Sequence, residues 1–467
     1  MNLRISDFCH FVEGINNLTA LYNALTLDVV IVDKETAKLF RQAKHKIISY
    51  DQINSLDDNL VSELTRHKLV FPLDRRLDLE EYAKIQTKFR NKEIGILYLL
   101  MTDVCNLACI YCFIEGAIPE NYQFSKMSTK TAQFGIDLFA KLIGKNSTVE
   151  TPQIIFYGGE PFLNFEVVER MLRYIESLKS KKTLPSTTFI TINTNGALIN
   201  ETIALTLRSF GNVNVAVSLD GPKEIHDKCR RRRDGHGSFD DTIRGYQLLV
   251  KNGVNTGICC TISQYNVEQL EEISKWFVNE LGATSISFNI LIESIGIEGI
   301  RGDAKVYAEK VAKQIIKCYR FFREKGIYED RIMRKVNAFV EGYIYYNDCG
   351  GCGEQIVIAP DGMVGVCQGY CGSRKYFIHP DITFDPFNHP IWEEWKFRSP
   401  LFMEQCYNCI ALSICGGGCP YSAYKSKGSI WEVDDIFCVH AKATAEFLIR
   451  DLIEKMDPKT SFPSTEN

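Results

Sequence analysis

Between Ile94 and Gly326 short apolar runs alternate six times with longer amphipathic segments, and this alternation limits the fold more than any other feature of the chain. The strand-like runs are IGILYLLMT (94–102), QIIFYGG (153–159), TFITINTNG (188–196), VNVAVSLDG (213–221), NTGICCTIS (255–263) and TSISFNILI (284–292). Between them, segments such as FEVVERMLRYIESLKS and VEQLEEISKWFVNEL place apolar residues three and four apart, the period of one helical face. Strands that succeed one another through helices run parallel and are covered by those helices. The pattern predicts an α/β domain over residues 91–326. We read it as a partial, TIM-like barrel of six β/α units rather than a doubly wound sheet, because the chemically distinctive motifs fall at the C-terminal ends of the strands, where barrel sites are built.

A chain of 467 residues has room for two or three domains with cores large enough to fold without disulfides. A formal net charge of −4 supplies no chain-wide basic excess to neutralise phosphates, so no nucleic-acid partner is expected. The one basic run, Arg230 to Arg233, is read as a solvated loop face. MNLRISDFCHFVEG lacks the apolar core of a signal peptide, and no apolar run approaches the ~20 residues of a membrane span. We therefore expect a cytoplasmic protein with no membrane partner. A reducing compartment disfavours a disulfide framework for the 17 cysteines and turns attention to metal or catalytic chemistry.

Three of those cysteines, Cys105, Cys109 and Cys112, crowd into TDVCNLACIYCF directly after the first predicted strand. A structural zinc site takes four ligands, usually as two pairs, and this loop offers three with no histidine beside them. A cubane iron–sulfur cluster has four irons, each wanting an external ligand, so three thiolates leave one iron open to a small molecule.

The Cys-x3-Cys-x2-Cys spacing, with Tyr111 before the last cysteine, resembles the signature of the radical S-adenosylmethionine (radical SAM) enzymes. YGGEP (157–161), NTNG (193–196) and SLDG (218–221) resemble that family's second-, third- and fourth-strand motifs, in the same order and one per strand end. The resemblance implies that Cys105, Cys109 and Cys112 ligate a catalytic [4Fe-4S] cluster and that SAM lies against Tyr111, the backbone of Gly158 and Gly159, Glu160, Asn195, Ser218 and Arg230. Glu160 would receive the methionine amino group, Asn195 and Ser218 would lie near the ribose and carboxylate, and Arg230 of HDKCR would pair with the carboxylate. It also implies the chemistry: an electron donor such as flavodoxin or ferredoxin reduces the cluster, a carbon–sulfur bond of SAM breaks, and the 5′-deoxyadenosyl radical takes hydrogen from a substrate.

A second constellation occupies the C-terminal third, assigned to 327–457. Cys352 is followed by nine residues, Gly362, four residues and Cys367, then by Cys406-x2-Cys409-x5-Cys415-x3-Cys419, and finally by Cys438. Seven ordered cysteines nearly fill the eight positions of two cubanes. The pattern resembles the SPASM extension found behind radical SAM domains. By that resemblance one auxiliary cluster takes Cys352, Cys367 and Cys419, the other takes Cys406, Cys409, Cys415 and Cys438, and the chain carries three clusters in all. The fourth position of the first is left to Cys349, to Cys371 or to a substrate thiolate. Cys9, Cys229, Cys259, Cys260, Cys318 and Cys371 then remain as ordinary thiols, with Cys229 held back as a hydrogen-atom donor should it face the site.

Residues 1–90 read as a small α+β module, a hairpin followed by helices, with a sheet edge that suits strand addition by an extended peptide. Residues 458–467 read as a disordered tail. Enzymes with this extension mostly modify peptides, and the leading expectation is a maturase that binds the leader of a ribosomal precursor peptide and installs a thioether. A carbon–carbon crosslink or an epimerisation are the alternatives within that class. Formylglycine formation, as in anaerobic sulfatase maturases, is disfavoured because Gln368 stands where those enzymes carry an Asp base. An iron–sulfur electron carrier without catalysis is the reading from a different class.

Overall fold

The computed structural model describes residues 2–43, 46–54, 56–89, 93–145, 149–292, 300, 302–381 and 383–456. All six predicted runs are strands: β1 (Ile96–Leu100), β2 (Gln153–Tyr157), β3 (Phe189–Thr194), β4 (Val213–Ser218), β5 (Asn255–Ile262) and β6 (Ser285–Ile290). Each is followed by a helix: α1 (Thr129–Lys145), α2 (Phe165–Ser180), α3 (Glu201–Arg208), α4 (Phe239–Lys251), α5 (Leu270–Asn279) and α6 (Ala304–Lys325). Neighbouring strands pair in parallel from β1 through to β6. The period-2 alternation separates two faces. Ile190, Ile192, Val213, Val215, Val217, Ile286 and Phe288 are buried, whereas Thr191, Asn193, Asn214, Ala216, Ser218, Ser287 and Asn289 on the other face keep contact with solvent.

The sheet does not close. A further strand, β7 (Gln355–Ile358), lies parallel beside β1, and two short antiparallel strands, Val364–Gly365 and Phe377–Ile378, extend that edge; the far edge ends at Tyr328–Glu329. The architecture is thus an open, partial barrel of six β/α units whose first strand is also bonded to the cysteine-rich region. One face is packed and apolar; the other is mainly polar and reached by solvent.

The first ninety residues hold two three-stranded antiparallel sheets. One side has its own small core, including Ile5, Leu21, Val30 and Phe40. The other side does not stand apart: Phe8, Val12, Ala20 and Tyr22 belong to the main core. Tyr82 Oη and Gln86 Nε2 each donate to the Leu401 carbonyl at 2.6 Å, and the rings of Phe8, Tyr82 and Tyr407 meet with centroids 5.1–5.4 Å apart. Among the described residues no helix is long and apolar enough to cross a membrane. The predicted tail, 458–467, lies outside the described residues.

Beyond α7 (Asp330–Glu341) the elements are short, the edge strands and the helices Pro390–Lys396, α8 (Leu412–Cys415) and Pro420–Lys427 among them, until α9 (Asp435–Met456). Side-chain bonds hold this stretch where backbone ladders do not. Arg398, fully buried, donates from Nε to the Ile430 carbonyl at 2.7 Å, from Nη2 to Glu432 at 3.0 Å, and from Nη1 to the carbonyls of Gly417 and Gly418. One guanidinium thereby ties together the segments on either side of Cys419. Hydrogen bonds to charged groups contribute about 1.5–3 kcal/mol each, so Arg398→Met should lower stability by at least about 3 kcal/mol in urea titration. It should also make the thiols of 406–419 react faster with a disulfide reagent.

Candidate active site

The cysteine loop leaves β1 at its C-terminal end and is fastened on two sides. On one side the turn after β2 reaches it backbone to backbone: Gly159 N–H donates to the Thr102 carbonyl at 2.7 Å and Glu160 N–H to the Val104 carbonyl at 3.0 Å. Nothing larger than glycine fits this approach. A Cβ on Gly158, which has φ of +131°, would lie 2.4 Å from the Thr102 carbonyl oxygen, and one on Gly159 would lie 2.3 Å from that of Val104. The two glycines of YGGEP are therefore required by close packing against the loop.

On the other side Leu107–Cys109 pairs antiparallel with Arg230–Arg232, Arg230 opposite Cys109. This corrects the reading of the basic run as a solvated face. Arg231 and Arg232 do face solvent, but Arg230 is buried. Its Nε and Nη2 bond Asp220 at 3.0 and 3.2 Å, and its guanidinium lies 5.4 Å from the centre of the Tyr111 ring. Tyr111 Oη donates to the same carboxylate of Asp220, which also accepts the Thr261 N–H at 3.0 Å. Arg233 donates from Nε to the Cys105 carbonyl at 2.8 Å and pairs with Glu115 at 3.1 Å. Asp220 and Arg233 escaped sequence reasoning. Asp220 was inside the quoted SLDG motif, where a buried carboxylate opposite a basic run was the available clue.

Glu160 is fully buried and accepts Thr194 Oγ1 at 2.7 Å, Asn195 N–H at 2.8 Å and Phe162 N–H at 3.2 Å. Burial pushes its carboxyl up to about 7 in spite of those three donors. Asn195 donates from Nδ2 to Asn106 Oδ1 at 2.8 Å and approaches Cys105 Sγ at 3.8 Å. Ser218 ends β4, half-buried on the open face of the sheet. The structure thus gathers Cys105, Cys109, Cys112, Tyr111, Gly158, Gly159, Glu160, Asn195, Ser218 and Arg230 at one end of the parallel sheet.

Eight of the remaining cysteines sort into two groups. Cys406, Cys409, Cys415 and Cys438 line one enclosed, mainly apolar cavity, with Leu412 and Ala441 among its walls. Cys349, Cys352, Cys367 and Cys419 form the other. The free thiols of Cys349 and Cys352 are hydrogen-bonded to each other, and the thiols of Cys367 and Cys419 are each pushed up by burial first and then by Cys349. Cys371 is buried where Asp103, Arg374 and Cys112 act on it, and it acts in turn on Cys367. Cys229 is buried, with Ser263 Oγ 3.6 Å from its sulfur.

Among the described residues no three His, Cys, Asp or Glu side chains converge as ligands of a single ion. The donor set nevertheless suits a polynuclear cluster, whose ligands attach to separate irons. Burial raises the Cys105 thiol to about 12 and lifts Cys109 and Cys112 as well, so these sulfurs stay protonated unless a cation compensates them. Cys105 already accepts Leu107 N–H and Cys112 accepts Glu115 N–H, each at 3.4 Å, the bonds a thiolate ligand receives.

Residues 99–277 match the family profile of the Radical SAM superfamily. The chain carries a radical SAM domain. The superfamily's chemistry uses a [4Fe-4S] cluster and SAM. Across 97% of this radical SAM chain and 96% of its relative, it is 24% identical to the radical SAM cyclopropyl synthase TigE of Paramaledivibacter caminithermalis. It is 26% identical to the antilisterial bacteriocin subtilosin biosynthesis protein AlbA of Bacillus subtilis, over 80% of this chain and 75% of AlbA. Its fold resembles that of the solved protein anSMEcpe with bound AdoMet, with a TM-score of 0.63 at 21% identity over 80% of this chain and 96% of the other.

The glycine stitch generates a test. Overpacking a tight site costs about 1–3 kcal/mol, so Gly159→Ala should lower apoprotein stability by that amount. After anaerobic reconstitution the same variant should hold less iron, with the deficit confined to the loop.

Proposed function

We propose that this radical SAM enzyme is a maturase of ribosomal precursor peptides, binding a leader and installing a crosslink in the core peptide, with a thioether as the first choice of linkage. The observation that supports it most is a polar, solvent-reached sheet face at whose end three half-buried thiols sit, followed by eight further cysteines in two sets. In this reading Cys105, Cys109 and Cys112 hold a cluster with one open iron. Cys349, Cys352, Cys367 and Cys419 hold a second, and Cys406, Cys409, Cys415 and Cys438 a third. When bound, the loop cluster and SAM supply a 5′-deoxyadenosyl radical that removes a hydrogen atom from the peptide.

The chain's own residues do the positioning. Glu160, already dry, would accept the ammonium of SAM, an interaction strengthened by the absence of competing water. Arg230, clamped by Asp220, sets a fixed positive charge beside Cys109 for the SAM carboxylate. Asn195 and Ser218 present polar groups at the ends of β3 and β4. Thr191, Asn193, Asn214 and Ser287 keep that sheet face wet enough for a peptide backbone. The first ninety residues offer sheet edges, such as Cys9–Glu13, to which a leader can add a strand. An external flavodoxin or ferredoxin would deliver electrons.

Thioether formation breaks one S–H and one C–H bond, forms one C–S bond and removes two hydrogens from the peptide: one would leave as an atom to the 5′-deoxyadenosyl radical, the other as a proton whose electron would return to an iron–sulfur cluster. AlbA, named for bacteriocin biosynthesis, supports a peptide substrate. A second reading, closure of a carbon–carbon ring, is favoured by one observation: TigE, named as a cyclopropyl synthase, aligns over nearly the whole chain. Formylglycine formation is weaker. Gln368 occupies the expected base position, and its Oε1 accepts Gln355 Nε2 at 3.3 Å, so it offers no carboxylate to take a proton.

The test is co-expression with short peptides encoded beside the gene, followed by mass spectrometry. The expected product has lost the mass of two hydrogens, and deletion of the leader should abolish the loss. If a cysteine of that product no longer reacts with iodoacetamide, the bond is a thioether; if all cysteines still react, it is carbon–carbon. An unmodified precursor beside enzyme that cleaves SAM freely would contradict the peptide-maturase reading.

A further inference from the structure

One face of α7 carries a residue that its pattern does not predict. Ile332, Lys335, Val336 and Ala338 are its buried positions, so a lysine stands at an apolar site of the helix. Lys335 is 1% exposed, and its Nζ makes no hydrogen bond. Its ion-pair partner is Asp348, at 3.6 Å, and that carboxylate already takes Arg331 at 3.3 Å, Arg334 at 3.6 Å and Tyr345 Oη at 3.3 Å. Three N–H donors of one ammonium are therefore left in a dry interior without an acceptor, which is an unfavourable arrangement.

A second side chain nearby shows the same deficit. His440, on α9, is fully buried, and neither ring nitrogen has a hydrogen-bond partner. The charges that act on it are Lys335, Arg331 and Asp348. The helices explain the meeting: α7 packs against both α8 and α9, and α8 packs against α9. Cys415 ends α8 and Cys438 precedes His440 by two residues on α9. Of the charges acting on the Cys415 thiol, Lys335 is the foremost, and it favours the thiolate. Unspent donors thus sit on the two helices packed against α8, whose Cys415 lines a cavity together with Cys406, Cys409 and Cys438.

We infer that Lys335 and His440 donate hydrogen bonds to the sulfur atoms of an iron–sulfur cluster held by Cys406, Cys409, Cys415 and Cys438 and thereby raise its reduction potential. Sulfides and thiolates are the acceptors that both side chains lack. A positive charge and N–H bonds at sulfur stabilise the reduced, more negative cluster. Lys335 would then separate this cluster in potential from the one in the loop after β1, whose thiols lie against Arg230 instead. The inference rests on reading those four cysteines as ligands.

The reconstituted holoenzyme provides the test, by EPR-monitored redox titration of wild type, Lys335→Met and His440→Leu. Lys335→Met should move the midpoint of one auxiliary cluster to more negative potential, with a smaller shift in His440→Leu and none for the loop cluster in either. A second measurement accompanies it: reduced enzyme labelled with 15N-lysine should show 15N hyperfine coupling in pulsed EPR that is lost in Lys335→Met, which separates Lys335 from Lys442 beside Cys438. Wild-type midpoints for every cluster in a fully iron-loaded Lys335→Met enzyme would overturn the inference, as would absence of the 15N coupling or its persistence in that variant. Iron analysis separates the two levels. A holoenzyme with too little iron for a cluster at Cys406–Cys438 overturns the ligand assignment itself, and this inference with it.

Discussion

The close approach of Gly158 and Gly159 to the carbonyls of Thr102 and Val104 is the contact on which the rest of the site depends. It fixes the cysteine loop to the end of β2 without any side chain between. Glu160 N–H completes the stitch, and its carboxylate then reaches across to Thr194 and Asn195 at the end of β3. A single backbone contact thereby ties the cysteine loop to two strands. The antiparallel ribbon to Arg230–Arg232 ties it to a third, since Arg230 is held by Asp220 just past β4. Three thiols that burial would otherwise keep protonated are in this way held near one another, ready for a polynuclear cation.

The cysteine-rich region obeys a related constraint by other means. With little regular structure, it depends on the buried guanidinium of Arg398, on the carboxylate of Asp348 and on the junction of α7, α8 and α9. β7 joins it to the barrel by pairing with β1, the strand that delivers the cysteine loop. The same strand therefore positions the loop and anchors the extension. The first ninety residues lend part of their apolar surface to this region, so they help to stabilise it.

The six barrel strands were legible because each carries a local alternation or apolar run and is bounded by turn residues, and the motif order placed the site at their C-terminal ends. The strand β7 was not, since QIVI is short and its partner β1 lies more than two hundred residues earlier in the chain. Local pattern holds no record of such a pairing. The basic run was misread for a similar reason: only the fold shows that Asp220 faces Arg230, turning one arginine of four inward. Lys335 was invisible for the opposite reason, because a lysine within an amphipathic helix is ordinarily taken as part of the solvated face. Cysteine spacing left Cys349 and Cys371 as rivals. In the fold Cys349 lies beside Cys352, and both Cys349 and Cys371 act on Cys367, so the rivalry persists.

The central claim is that the three-thiol loop leaves one iron free for SAM. Its most direct test is electron–nuclear double resonance on the reduced, reconstituted enzyme with SAM labelled by 15N at its amino group. The account predicts hyperfine coupling between that nitrogen and a cluster, lost when Cys105, Cys109 and Cys112 are replaced together. Bound SAM that shows no 15N coupling in an enzyme with its full complement of reduced clusters would contradict it.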